Sequence, residues 1–250
     1  MIYDNDFDES LNLTKHFTLF SNLVSLCLAA NSGWHGGSPD FQMFIYRQKF
    51  PHLRRLFLNG NVFDHDIHIS YPEFKSNFPL LVYLHIGKLH INFALRILDE
   101  YRQLRSFSAR IYCDTTTDTI TSFQTYLPAL KELGFRGDTD FGNDFGVQFL
   151  KDFLPYCPNI RKLRIKVHCH DIWENFLEAD WWAHVLVSNR KLEKINFHLQ
   201  WTTRTNFYNW AIGLERFRRS AFFTRLNANV QSKFHSEFMR LITVDIYIEN

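Results

Sequence analysis

The chain has 250 residues, of which 46% are hydrophobic, 22% charged and 17% aromatic, and Phe alone occurs 26 times. This is enough apolar material for a sizeable core and too little charge for whole-chain disorder. The net charge of +2 is close to balance, so any electrostatic preference has to come from where the charges sit.

Residues 1–19 read as an N-terminal cap segment. Its start, MIYDNDFDES, is acidic and lacks the basic-then-apolar profile of a secretory leader. No apolar run approaches the roughly 20 residues that span a bilayer. The expected location is therefore cytosolic or nuclear, with no membrane partner. The four cysteines, Cys27, Cys113, Cys157 and Cys169, form no C-x-x-C pair and read as reduced, mostly buried thiols.

From residue 20 onward a phrase recurs. FPHLRRLFLNGN places Leu53, Leu56, Leu58 and Asn61 in the spacing L-x-x-L-x-L-x-x-N, and Leu23, Leu26, Leu28 and Asn31 match it upstream. Downstream copies start at Leu81, Leu104, Leu130, Ile160, Leu192 and Leu241. The first seven copies are 23 to 32 residues apart, and the last follows after 49, which places an insertion or a degenerate copy between 201 and 238. Proline stands two residues ahead of four copies, at Pro51, Pro79, Pro128 and Pro158. That position suits a segment entering a strand, where no ladder donor is yet needed. Repetition at this period predicts one domain over 20–250, built from about eight stacked units.

Between the phrases the pattern turns helical. Ser38-Pro39-Asp40 offers a cap ahead of Phe41, Phe44 and Ile45. Phe93/Ile97 and Ala94/Leu98 are i,i+4 pairs, as are Phe149/Phe153 and Leu150/Leu154. Trp173, Phe176, Leu177, Trp181 and Val185 form a broad stripe. A further helix is predicted over 203–224, with Phe207, Trp210, Leu214, Phe217 and Ala221 near one face. Strands alternating with helices in this way predict an α/β fold with parallel strands.

With its Phe-rich FP-x-L-x-x-L-x-I copies, the chain resembles leucine-rich-repeat proteins, most closely the repeat region of F-box leucine-rich-repeat proteins. The resemblance covers about residues 20–248. It implies an arc-shaped solenoid with a parallel β-sheet on the concave face and helices on the convex face. It also implies that asparagine at the ninth position, here Asn31 and Asn61, bonds the backbone of neighbouring coils. Later copies carry Leu89, Tyr112, Asp138, His168 and Gln200 there. The implied role is a protein-interaction scaffold, not an enzyme, and, where an F-box is joined to it, the substrate-recognition part of a ubiquitin ligase. Residues 1–20 are too short for the F-box module itself, so on this reading the chain is a fragment or a repeat-only relative.

The residues alternating with the phrase leucines face a partner. They include Arg55, Phe57, Tyr83 and His85 in the early copies, then Arg110, Arg136, Lys162, Arg164, Lys166 and His198. Arg110, Arg136 and Lys166 fall at one position of successive copies, and such a basic stripe suits an acidic segment of another protein. Nucleic acid is the alternative partner, through that stripe and the basic cluster at 216–219 within LERFRRSAFF. No small-molecule partner, metal or cofactor is expected. His168-Cys169-His170-Asp171 alternates across a strand and does not converge as a zinc site would. Asp64-His65-Asp66-Ile67-His68 has the same fault. Asp138 to Asp144 fails the spacing of a calcium loop. His35-Gly36-Gly37 has no nucleophile elbow to serve.

Overall fold

A computed structural model of the chain describes residues 22–29, 49–59, 75–112, 125–137, 144–169, 178–187, 189, 191–202, 208–236 and 241–249. The chain divides into two compact units, Met1–Arg110 and Ile111–Asn250. It is α/β, with parallel strands in each unit.

Unit 1 contains β1 (Ser25–Ala29), β2 (Arg55–Asn59), β3 (Tyr83–His90), α1 (Ile91–Glu100) and the start of β4 (Ser106–Tyr112). β1, β2 and β3 pair in parallel, with Leu26 opposite Leu56 and Leu56 opposite Leu84. β3 runs straight into α1, where the Nδ1 of His90 accepts from the Asn92 N–H at 3.3 Å and caps the first turn. α1 buries Ile91, Ala94, Leu95, Ile97 and Leu98, the face that the i,i+4 pairs predict.

Unit 2 carries β5 (Glu132–Gly137), α2 (Asp144–Phe153), β6 (Lys162–Cys169), α3 (Ala179–Leu186), β7 (Lys194–Thr202), α4 (Tyr208–Arg219), α5 (Ala221–Arg225), β8 (Asn229–Ser236) and β9 (Leu241–Glu249). Aromatic rings fill its core. Phe135 meets Phe149 and Phe153 edge-on at 5.4 and 5.9 Å, and Trp182 lies 4.2 Å from Phe197. On α3 it is Trp182 that is fully buried, while Trp181 of the predicted stripe is only half-buried.

Seven strands, β1 to β7, each begin at the third residue of a phrase. Their lead-ins are built alike. A tight turn precedes six of the phrases: Leu53, Leu81, Leu104, Leu130, Ile160 and Leu192 donate to carbonyls three residues back at 2.8–3.3 Å. The four prolines are the second residue of that turn, where their fixed φ is favourable. The first residue of each turn is buried: Phe50, Phe78, Tyr101, Leu127, Cys157 and Asn189. Burial pushes the Cys157 thiol pKa up, so it stays protonated. One carbonyl in each coil then accepts two N–H groups from the next. Val24 takes Arg54 and Arg55, Arg54 takes Val82 and Tyr83, and Val82 takes Arg105 and Ser106. In unit 2, Lys131 takes Arg161 and Lys162, and Arg161 takes Glu193 and Lys194.

The eighth phrase does not continue this series. β9 runs antiparallel to β7, with Lys194 opposite Glu249 and Thr202 opposite Leu241. It also pairs antiparallel with β8, giving the order β5-β6-β7-β9-β8 within unit 2. Apolar alternation specifies which face of a strand is buried and carries no direction, so Ile246 is core as expected while its strand is reversed.

The single helix predicted over 203–224 is two helices. Ser220, with φ −62° and ψ 125°, interrupts it and starts α5. Phe217 and Phe223 are six residues apart, which on one helix places them on different faces. The break lets both reach the core, where their rings meet edge-on at 5.0 Å. The positions of Asn31 and Asn61, and the helix expected after Ser38-Pro39-Asp40, lie outside the described residues. Leu89, at the ninth position of its copy, is buried.

Candidate partner-binding face

With the phrase leucines inside, the pleat turns the third, fifth and seventh residues of each copy away from the core. In unit 1 the register sets Arg55 opposite Tyr83 and Phe57 opposite His85. The Arg55 guanidinium lies over the Tyr83 ring, 5.2 Å from its centroid. Phe57 and His85 stack with centroids 6.3 Å apart and a tilt of 27°. Four predicted site residues thus form one patch. Phe57 is 37% exposed on a face with no core to serve. His85 is half-buried, and this burial lowers its pKa below the ordinary value of 6.5, which favours the neutral ring. Arg110, half-buried on β4, is the last residue of unit 1.

In unit 2 the third-position row reads Glu132, Lys162, Lys194, the fifth Gly134, Arg164, Asn196, and the seventh Arg136, Lys166, His198. Lys162 binds Glu132 at 2.5 Å, and Arg161, just before the strand, binds Glu193 at 3.3 Å. Arg136, Arg164 and Lys166 are exposed and form no ion pair among the described residues. Arg136 and Lys166 are direct cross-strand neighbours, about 5 Å apart at the backbone. Like charges so placed are destabilising on their own.

The basic cluster at 216–219 has internal partners. Glu215 takes Arg219 at 2.7 Å and Arg218 at 3.7 Å, while Arg216 reaches Glu178 at 3.9 Å. Arg218 also donates to the Val230 carbonyl at 3.5 Å. The pairs with Glu215 lie within α4, while Arg216 and Arg218 also tie it to Glu178 and Val230; each exposed pair contributes only about 1 kcal/mol or less.

Sequence reasoning missed the polar contacts between neighbouring turns. Gln103 donates to the Pro79 carbonyl at 3.4 Å, Asn159 to the Pro128 carbonyl at 2.8 Å, and Lys191 to the Asn159 Oδ1 at 2.8 Å. All three donors sit just before the phrase, a position that no repeat letter marked.

Of the metal-like groups, His168 and Cys169 end β6 in register with Gln200 and Trp201. The sets at 35–37, 64–68 and 170–171 lie outside the described residues, as does most of 138–144. Among the described residues, no three His, Cys, Asp or Glu side chains gather as a metal set, and no helix is long and apolar enough to cross a membrane. No protein-family model, curated protein or solved structure matches this chain.

Proposed function

We propose that the protein is a non-enzymatic interaction module of leucine-rich-repeat type that captures another protein on the open face of its strands. The observation carrying this reading is the patch of Arg55, Phe57, Tyr83 and His85. Arg and Tyr are enriched among the residues that dominate binding energy at protein interfaces. Phe57, stacked yet solvent-exposed, adds apolar area that folding alone does not require. Where such a module is joined to an F-box, the captured protein is a substrate for ubiquitination.

The test compares baits. Wild-type protein and Phe57→Ala are used in parallel, with Val187→Ala as an exposed control away from the face. Loss of a truncated hot spot costs about 2 kcal/mol or more, some thirtyfold in affinity. A partner held by wild type and by the control, and lost from Phe57→Ala at unchanged melting temperature, is the expected outcome. Equal recovery on all three baits removes the patch from the interface.

Arg136, Arg164 and Lys166, which form no ion pair among the described residues, favour a second reading, a nucleic-acid-binding module. Affinity for an oligonucleotide would then fall steeply and linearly with the logarithm of salt concentration. Capture of a protein through Phe57 would change little over the same range.

A further inference from the structure

We infer that Arg136, Arg164 and Lys166 of unit 2 form a binding site for a phosphorylated side chain of a protein partner. The inference rests on reading the open face as a protein-binding surface. It concerns other residues than those that carry that reading, so the two fail separately.

Three observations converge. The first is the density of unanswered charge. Arg164 and Lys166 are two residues apart on one face of β6, about 7 Å at the backbone, and Arg136 is across from Lys166. Their neighbours Lys162 and Arg161 have carboxylates in Glu132 and Glu193; these three have none among the described residues. Glu132, on the same face of β5, is drawn to Lys162 instead.

The second observation is the shape at Gly134. It is the register partner of Arg164 and precedes Arg136 on the same face of β5. Without a Cβ it leaves the floor between Arg136 and Arg164 at backbone level. It is buried even though its face is the open one, so the surrounding side chains overhang it. A tetrahedral oxyanion can bridge the two guanidinium groups and the ammonium above it. Guanidinium forks match phosphate oxygens in pairs, and a phosphorylated side chain brings a charge of about −1.5 to −2 with three acceptor oxygens. A carboxylate brings half that charge and leaves part of the triad unanswered.

The third is how far the charge extends. A nucleic-acid track needs cations along several successive phosphates. Here the triad spans two strands. Glu132 borders it on β5. The arginines of α4 already have Glu215 and Glu178. Within unit 2, a cluster of this size fits one compact dianion on a protein rather than a polyanion.

The experiment uses the full chain and three immobilised peptide libraries of matched degenerate sequence, centred on phosphoserine, serine or glutamate, with a short oligothymidine in parallel. The expected result is retention on the phosphoserine library at least about tenfold above the other two, with free inorganic phosphate competing. Arg164→Ala and Arg136→Ala should each lower that retention about tenfold at unchanged melting temperature, and Lys151→Ala, an exposed lysine on α2, should not. Equal retention on the glutamate or serine library overturns the inference. So does phosphoserine binding that survives Arg164→Ala. Oligothymidine binding tighter than any peptide, and lost in the same variants, overturns it in favour of nucleic acid.

Discussion

In unit 1 the N–H groups of Arg54 and Arg55 share the Val24 carbonyl, and in unit 2 those of Arg161 and Lys162 share the Lys131 carbonyl. Phe50 donates to Asn77 just ahead of the next turn, and Leu127 donates to Tyr156 in the same way. The backbone therefore repeats one lead-in across both units. The open faces that follow do not repeat. At the fifth phrase position β1, β2 and β3 of unit 1 carry Cys27, Phe57 and His85, whereas β5, β6 and β7 of unit 2 carry Gly134, Arg164 and Asn196. One row is apolar and aromatic; the other has a buried glycine beside a cation. Packing constrains the buried positions of every copy equally, while the positions between them vary without disturbing the fold.

The most severe way to test the shared scaffold is to charge its equivalent core positions. Leu56 and Leu163 hold the same phrase position and are 0% and 1% exposed. Leu56→Asp and Leu163→Asp should each unfold their unit. Removing a buried leucine side chain alone costs about 2–5 kcal/mol, and an unpaired buried carboxylate adds to that. Circular dichroism and amide exchange read the outcome. A native melting temperature for either variant would mean that the two cores are not equivalent despite the matched lead-ins.

A smaller effect separates the two fifth-position rows. Burial depresses the His85 pKa in the folded protein, so the unfolded chain takes up the proton first. Unit 1 should keep its full stability above about pH 6.5 and lose it as pH falls below that value. His85→Gln should flatten the profile between pH 7.5 and 5. Melting curves across that range test it, and a wild-type slope retained by the variant would assign the pH dependence to another group. Arg164, at the same position in unit 2, does not titrate there.

The smallest change in stability sharpens the other row. Glu132→Gln releases Lys162 and adds a fourth unanswered cation beside Gly134. The exposed pair contributes about 1 kcal/mol or less, so the melting temperature should barely move. Retention on phosphoserine peptides should rise a few-fold. A fall in retention would place Glu132 within the recognition surface itself.

Much of this was legible in the residues. The phrase leucines mark the core, the third phrase residue marks where β1 to β7 begin, and the i,i+4 pairs at 93–98 and 149–154 mark α1 and α2. The same alternation picked out Arg55, Phe57, Tyr83 and His85, which the structure gathers into one patch. Other features left no local trace. β8, NVQSKFHS, has too few apolar residues to announce a strand, and it forms against β9. The break at Ser220 serves two phenylalanines that must both reach the core.

The sequence by itself determined which side chains are buried and which are shown, because alternation along a strand and the proline-led turn are properties of neighbouring residues. Tertiary structure decided the direction of β9 and the partners of the charges. Lys162 meets Glu132 and Arg161 meets Glu193 only because strands about thirty residues apart settle into one register. That register comes from the summed packing of the buried rows. The same alignment sets Arg136 beside Lys166 and gives Arg136, Arg164 and Lys166 no carboxylate among the described residues.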